Sequence, residues 1–191
     1  MLFTQSYPII LASTSPRRSQ ILTDAGFNFN IQSKNVEEVY NPSLHREQIP
    51  LYLAKIKAAP LIDNLNDQLL IAADTIVWLN DKVLGKPIDV EDAFEILTQL
   101  SGNTHEVITG VYLYKNGVEK SFFDVTKVTF RKVDAQEIRQ YIALYQPMDK
   151  AGAYGIQDWI GLTVVEKIEG CYYNVMGLPM PKLYQCLLNW K

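Results

Sequence analysis

The 191 residues carry 18 Lys and Arg against 21 Asp and Glu, a formal charge of −3, with 48% apolar and 20% charged residues. That balance excludes a disordered or collagen-like chain and leaves no basic field to hold nucleic acid, so any cation that serves an anionic ligand has to be concentrated locally. The length suits one domain whose core needs no disulfide or structural metal, and residues 1–191 read as a single domain. Cys171 and Cys186 have no CxxC spacing and no nearby His, and read as buried or incidental thiols. The start, MLFTQSYPIILASTSPRR, lacks a basic segment ahead of its short apolar run, and no apolar stretch reaches membrane-spanning length. A cytoplasmic protein with neither a membrane nor a nucleic-acid partner is expected.

In chain order, Ile9 to Ala12 reads as a short buried strand, and a helix opens after Ser15 at the N-cap with Pro16 first in the turn, ending at Gly26. Phe27 to Ser33 is a short stretch of no assigned type, residues 35–42 read as loop, and Ile49 to Ala59 as a second helix with Pro60 just past it. The apolar run Leu69 to Ala73 stops at Asp74 and resumes over Ile76 to Leu79, which puts Asp74 inside a strand or at its break. Asn80-Asp81 turns the chain into Val83-Leu84. Glu91 to Leu100 has helical apolar spacing and Gly102 as its stop. Glu106 to Tyr114 and Lys120 to Phe130 read as a hairpin around Asn116-Gly117. Asp134 with Glu137 forms a capping-box pattern ahead of a helix over Ala135 to Leu144. Leu162 to Lys167 reads as a strand, and Pro181 to Trp190 as a closing helix. The alternation implies an α/β fold on a mixed sheet.

Four segments carry candidate chemistry. Ser13-Thr14-Ser15-Pro16-Arg17-Arg18 sits at a helix N-terminus, where free N–H groups, hydroxyls and two guanidiniums suit phosphate; an ordinary cap with solvated arginines fits the same residues. Asp74, in Ala72-Ala73-Asp74-Thr75, is an acid in apolar surroundings and suits a general base or a metal ligand, or an Asp bonded to its own backbone. Lys86, between Gly85 and Pro87, is placed to meet a phosphate oxygen or to be solvated in a turn. Asp149 to Gln157 has two glycines that permit close approach of a ligand but lacks Walker spacing; Tyr154 and Gln157 suit a nucleobase or a structural loop equally. Glu37 and Glu38 read as a solvated loop pair, Lys57 as a helix-face lysine, and His45 and His105 as too isolated to form a dyad.

Together, and in this order, these segments resemble the Maf family of nucleotide pyrophosphatases. The likeness runs from Ile9 to Pro179. It takes in Leu11 to Arg18, Ala72 to Val77, Leu84 to Pro87, Leu100-Ser101-Gly102 with Thr104 to Val107, Thr109-Gly110-Val111, Asp149 to Gln157, and Gly170 to Pro179. The resemblance implies a mixed, strongly bent sheet with flanking helices and two lobes around a nucleotide cleft. It implies hydrolysis of a nucleoside triphosphate to monophosphate and pyrophosphate with a divalent cation, Mg²⁺ or Mn²⁺. Asp74 would be the proton acceptor, with Lys86 and Glu38 also catalytic. Arg17, Thr75 and Gln157 would select the base, Ser13, Arg18 and Lys57 would bind phosphate, and Glu38 and Asp74 would hold the metal. The SPRR, ADT and AYGIQ combination resembles the dTTP/UTP subtype, since a neutral Gln offers both donor and acceptor to a pyrimidine imide. A homodimer is the family-level expectation. Modified pyrimidine triphosphates are a further substrate class under this resemblance, and a regulatory nucleotide-binding protein of cell division and septum formation is the alternative. Two departures stand out: Cys171 where Ser is expected, and the bulky Asp158-Trp159-Ile160, which is expected to narrow the base end.

Overall fold

A computed structural model describes residues 5–190. Among them, the elements run β1 (Ile9–Leu11), α1 (Pro16–Asp24), β2 (Phe29–Ile31), α2 (Gln48–Ile62), β3 (Leu69–Leu79), β4 (Lys82–Leu84), α3 (Val90–Leu100), β5 (Thr104–Lys115), β6 (Val118–Phe130), α4 (Ala135–Tyr145), α5 (Trp159–Thr163), β7 (Val165–Glu169), α6 (Tyr172–Val175) and α7 (Met180–Leu188). The sheet order is β2-β1-β3-β5-β6-β7, with β4 paired to β3. β1 runs parallel to β2 and β3, whereas β4 and β7 are antiparallel to their neighbours. The fold is therefore α/β on a mixed sheet, as the alternation of elements implies.

β3 is one unbroken strand, and Asp74 lies inside it. All its residues but Thr75 are buried, which explains why its sequence is an apolar run and not an alternation. The two turns foreseen from Asn-Asp and Asn-Gly have positive φ at both central residues, 50° and 59° at Asn80 and Asp81, 50° and 82° at Asn116 and Gly117, as two-residue hairpin loops require. The capping box of α4 forms with both bonds in place.

Several boundaries differ from expectation. α2 includes Pro60, which lacks an N–H for the Ile56 carbonyl; in the last turn the helix tolerates that loss and closes two residues later. Residues 29–31, within a stretch of no assigned type, form an edge strand, in keeping with the apolar–polar alternation Phe27-Asn28-Phe29-Asn30-Ile31. The expected strand from Leu162 begins only at Val165, because Asp158 is the N-cap of α5, which takes Leu162 and Thr163. α7 spans Met180–Leu188, starting at Pro179 as its N-cap.

The chain divides into two compact units. The first holds the described residues through Asp74, Thr109–Asp124 and Gly177 onward; the second holds Thr75–Ile108 and Val125–Met176. In the first, the Ala54, Ala58 and Leu61 stripe of α2 packs with Ile10, Leu70 and Ala72. Gly110 lets α2 sit against β5 main chain to main chain, since a Cβ there would lie 2.5 Å from Leu51 N and Pro50 C. In the second, α3 and α4 pack with Val77, Val107, Val128 and Phe130.

Candidate active site

The apolar stripe that docks α2 decides where Lys57 goes. Ala54 and Leu61 stand three before and four after it, so Lys57 lies on the face turned to the strand. Its Nζ donates to Oδ1 of Asp74 and is 2.9 Å from Oε2 of Glu38. The Lys57 and Asp74 side chains are 16% and 10% exposed, whereas Glu38 is 44% exposed, so solvent weakens the second pairing. Glu37 is exposed, and Glu38 is the member of the acidic pair that meets Lys57.

The loop after β1 presents Ser13, which is buried, to the start of α1. Its Oγ accepts from Ser15 N and from Arg18 Nη1, each at 3.2 Å. Arg18 Nε donates to the Gly177 carbonyl at 2.8 Å, which fixes the guanidinium from a second side. Ser15 occupies the N-cap position but makes no side-chain capping bond. Arg17 is half-buried beside Arg18.

Burial lowers the pKa of Arg18 from its ordinary value; the Asp74 charge acts against this, Arg17 adds to it, and Glu38 acts against it. Burial pushes the Asp74 carboxyl up, while Lys57 and Arg18 pull it down. Asp74 is thus a desolvated carboxylate kept company by two cations, an arrangement suited to taking a proton. Glu38 and Asp74 share one ammonium, so both carboxylates reach a common point. Mg²⁺ is usually held by one or two carboxylates together with substrate phosphates and water, and this donor set fits that requirement. Among the described residues no group of three or more His, Cys, Asp or Glu is placed to hold an ion alone.

In the second unit, Thr75 is half-buried in β3, and Lys86 and Gln157 are exposed. Gly152 N donates to the Gly85 carbonyl at 2.9 Å, which ties the turn bearing Lys86 to the loop bearing Gln157. Lys150 fastens that loop further, 2.8 Å from Asp149 and 3.9 Å from Asp158. The Gln157 amide folds back over Gly155, where a Cβ would come 2.8 Å from its Nε2. The structure therefore gathers Ser13, Arg18, Glu38, Lys57 and Asp74 within one unit and links Lys86 to the Gln157 loop within the other.

The two departures acquire physical readings. Cys171 works through its backbone: its N–H donates to Thr126 Oγ1 at 3.0 Å and its carbonyl accepts from the same hydroxyl at 3.1 Å. Trp159 stacks on Tyr141 with centroids 6.2 Å apart, and Ile160 is buried in the core of the second unit. Core packing thus accounts for their bulk. Sequence reasoning gave no role to Gly177, because nothing in a sequence marks one carbonyl as the acceptor for a distant guanidinium. It also set aside His105, which is buried and bonded to Tyr154.

The family model described as Maf-like protein matches residues 8–190. The chain belongs to the Maf family. It is 53% identical over 175 residues to a Cytophaga hutchinsonii protein named dTTP/UTP pyrophosphatase, covering 92% of this chain and 80% of that one. A Phocaeicola vulgatus protein of the same name is 50% identical over 182 residues, 94% of each chain. Among solved structures, the Staphylococcus aureus Ham1 protein aligns over 64% of this chain and 71% of its own with a TM-score of 0.45 and 14% identity, a likeness that adds nothing to the assignment. Among the described residues no helix is long and apolar enough to cross a membrane.

Proposed function

We propose that this Maf protein is a cytoplasmic dTTP and UTP pyrophosphatase, that residues 1–191 act as one functional domain, and that Asp74 is its proton acceptor. The observation that carries the proposal is the desolvated Asp74 carboxylate held beside Lys57, with Glu38 on the same ammonium and Arg18 near enough to act on its charge. The names of the relatives at 50% identity and above support the substrate, and the family match across both units supports the single domain.

In this reading water attacks the α-phosphorus. An O–P bond forms to the water oxygen, the bond from the α-phosphorus to the bridging oxygen breaks, and pyrophosphate leaves with that oxygen. Asp74 accepts the proton of the water. Ser13, Arg18, Lys57 and Lys86 hold phosphate oxygens, which fixes the line of attack and offsets the triphosphate charge. Glu38 and Asp74 would hold Mg²⁺ or Mn²⁺, which when bound neutralises charge on the phosphates. Arg17, Thr75 and Gln157 select the base, the Gln157 amide offering a donor to a uracil or thymine carbonyl and an acceptor to N3–H.

The test is a panel of nucleoside triphosphates incubated with the protein and Mg²⁺ or Mn²⁺, the products resolved by anion exchange. Monophosphate and pyrophosphate from dTTP and UTP are expected, and Asp74→Asn should form both about a thousandfold more slowly. No turnover of any nucleotide by folded protein would sink the proposal.

A further inference from the structure

Three residues before Gln157, the Tyr154 side chain turns inward. Its hydroxyl is 2.7 Å from Nε2 of His105 on β5. Both residues are buried, at 5% and 1% exposure. Phe130 of β6 completes a triangle of mutually edge-on rings, with centroids 5.0 Å apart for His105–Phe130, 5.5 Å for His105–Tyr154 and 5.0 Å for Phe130–Tyr154.

A wholly apolar trio would fill this space without the penalty of burying an imidazole and a phenol. Edge-on rings fix a side chain's tilt but allow it to slide. A hydrogen bond between two buried groups fixes how deep the tyrosine enters, because leaving either group unpaired is costly. His105 is neutral, its pKa drawn down to about 3 by burial, so one ring nitrogen donates and the other accepts, and the bond to Tyr154 forms in either tautomer. Between this anchor and Gln157 stand only Gly155, over which the Gln157 amide folds, and Ile156, which is buried. Depth at Tyr154 is thereby passed along two fixed residues to the amide.

We infer that the His105–Tyr154 hydrogen bond is a positioning device for Gln157, and that the pair thereby helps the protein choose bases with an imide edge over those without one. The inference rests on Gln157 meeting the base, as proposed above. It makes His105 and Tyr154 positioning residues, not catalytic ones.

The experiment measures binding of the α,β-imido analogues of UTP and CTP by titration calorimetry, which needs no turnover, together with the melting midpoint. Tyr154→Phe, which removes one oxygen, should lower the UTP-over-CTP preference by roughly tenfold, the scale of one buried hydrogen bond, with a midpoint lower by a few degrees because His105 Nε2 loses its partner. In a Gln157→Ala background the same change should alter the preference by less than about twofold, since residues acting through one another are not additive. His105→Gln, whose amide nitrogen reaches about where Nε2 lies, should keep the preference, and His105→Phe should lose it.

An unchanged preference in Tyr154→Phe overturns the inference. So does an equal loss for both nucleotides, or a loss that multiplies with that of Gln157→Ala. A Gln157→Ala protein that keeps the wild-type preference overturns the base assignment itself, and that arm separates a fault in the earlier reading from a fault in the pair.

Discussion

Lys57 is held by two carboxylates, whereas Gln157 carries no charge and owes its place to the backbone of its loop and to a buried tyrosine three residues earlier. In the first unit, charges hold charges. Removing one strands the others, so stability and chemistry fail together. In the second, the Lys86 turn and the Gln157 loop are joined by the Gly152–Gly85 hydrogen bond, ring packing holds Tyr154 of that loop, and a change at the tip leaves that scaffold intact. The contrast separates two demands on a nucleotide enzyme: withstanding the triphosphate's charge, and reading a neutral base.

The largest effect is expected of Asp74→Asn. Losing the proton acceptor should lower kcat by about a thousandfold, within the range of general base catalysis, measured as pyrophosphate release from UTP. Next comes Lys57→Met, which leaves Asp74 and Glu38 facing each other without their ammonium; a loss of about 2–4 kcal/mol in urea unfolding is expected, somewhat less than for a fully buried pair because Glu38 is partly exposed. If that variant unfolds like wild type, the charged cluster is not holding the first unit together. Gln157→Glu should be milder for the fold yet reduce kcat/KM for UTP by roughly 10–100-fold, because a carboxylate can only accept where the amide also donated. Its melting midpoint should stay near wild type, and a large drop would erase the distinction between the two regions.

The smallest effects follow from pH. Burial raises the Asp74 pKa, so the acid limb of the rate profile should lie above the range of an exposed aspartate, the rate rising as the carboxyl ionises. For stability the sign is opposite. A carboxyl whose folded pKa is raised contributes fully below its unfolded value and loses that contribution as pH rises through the folded one. Asp74→Asn should therefore lose less stability than wild type between acid and neutral pH, and an equal loss would show that Asp74 does not carry the dependence.

Much of the frame was legible because local signals and tertiary packing agree. Asn80-Asp81, Asn116-Gly117 and the Asp134–Glu137 box each specify a geometry through their own backbone or side chains, and each forms. The edge strand at residues 29–31 was only partly legible: Phe27 to Ile31 alternate apolar and polar, but so short a run does not show that it pairs with β1. Pro60 read as a helix stop because the tolerance of a last turn depends on packing that the sequence does not show. The residues proposed to meet the triphosphate were suggested by the order of their segments along the chain, through the resemblance to the Maf family, and their residue types suit phosphate chemistry, which calls for cations, hydroxyls and a carboxylate. Two acceptors and donors were not: the Gly177 carbonyl has no side-chain signature, and His105 looks like any core histidine until its partner, 49 residues away, is placed beside it.

The main-chain contact at Gly110 bears on how such a protein drifts over generations. Apolar residues around α2 can be exchanged, and stability will wander, while the ammonium of Lys57 keeps its distance from Asp74, because the spacing is set where there is no side chain to trim. A single methyl at Gly110 would push the helix and carry Lys57 with it. Inherited loss of activity would then trace to a residue that touches no ligand, in a lineage whose every charged group is unchanged.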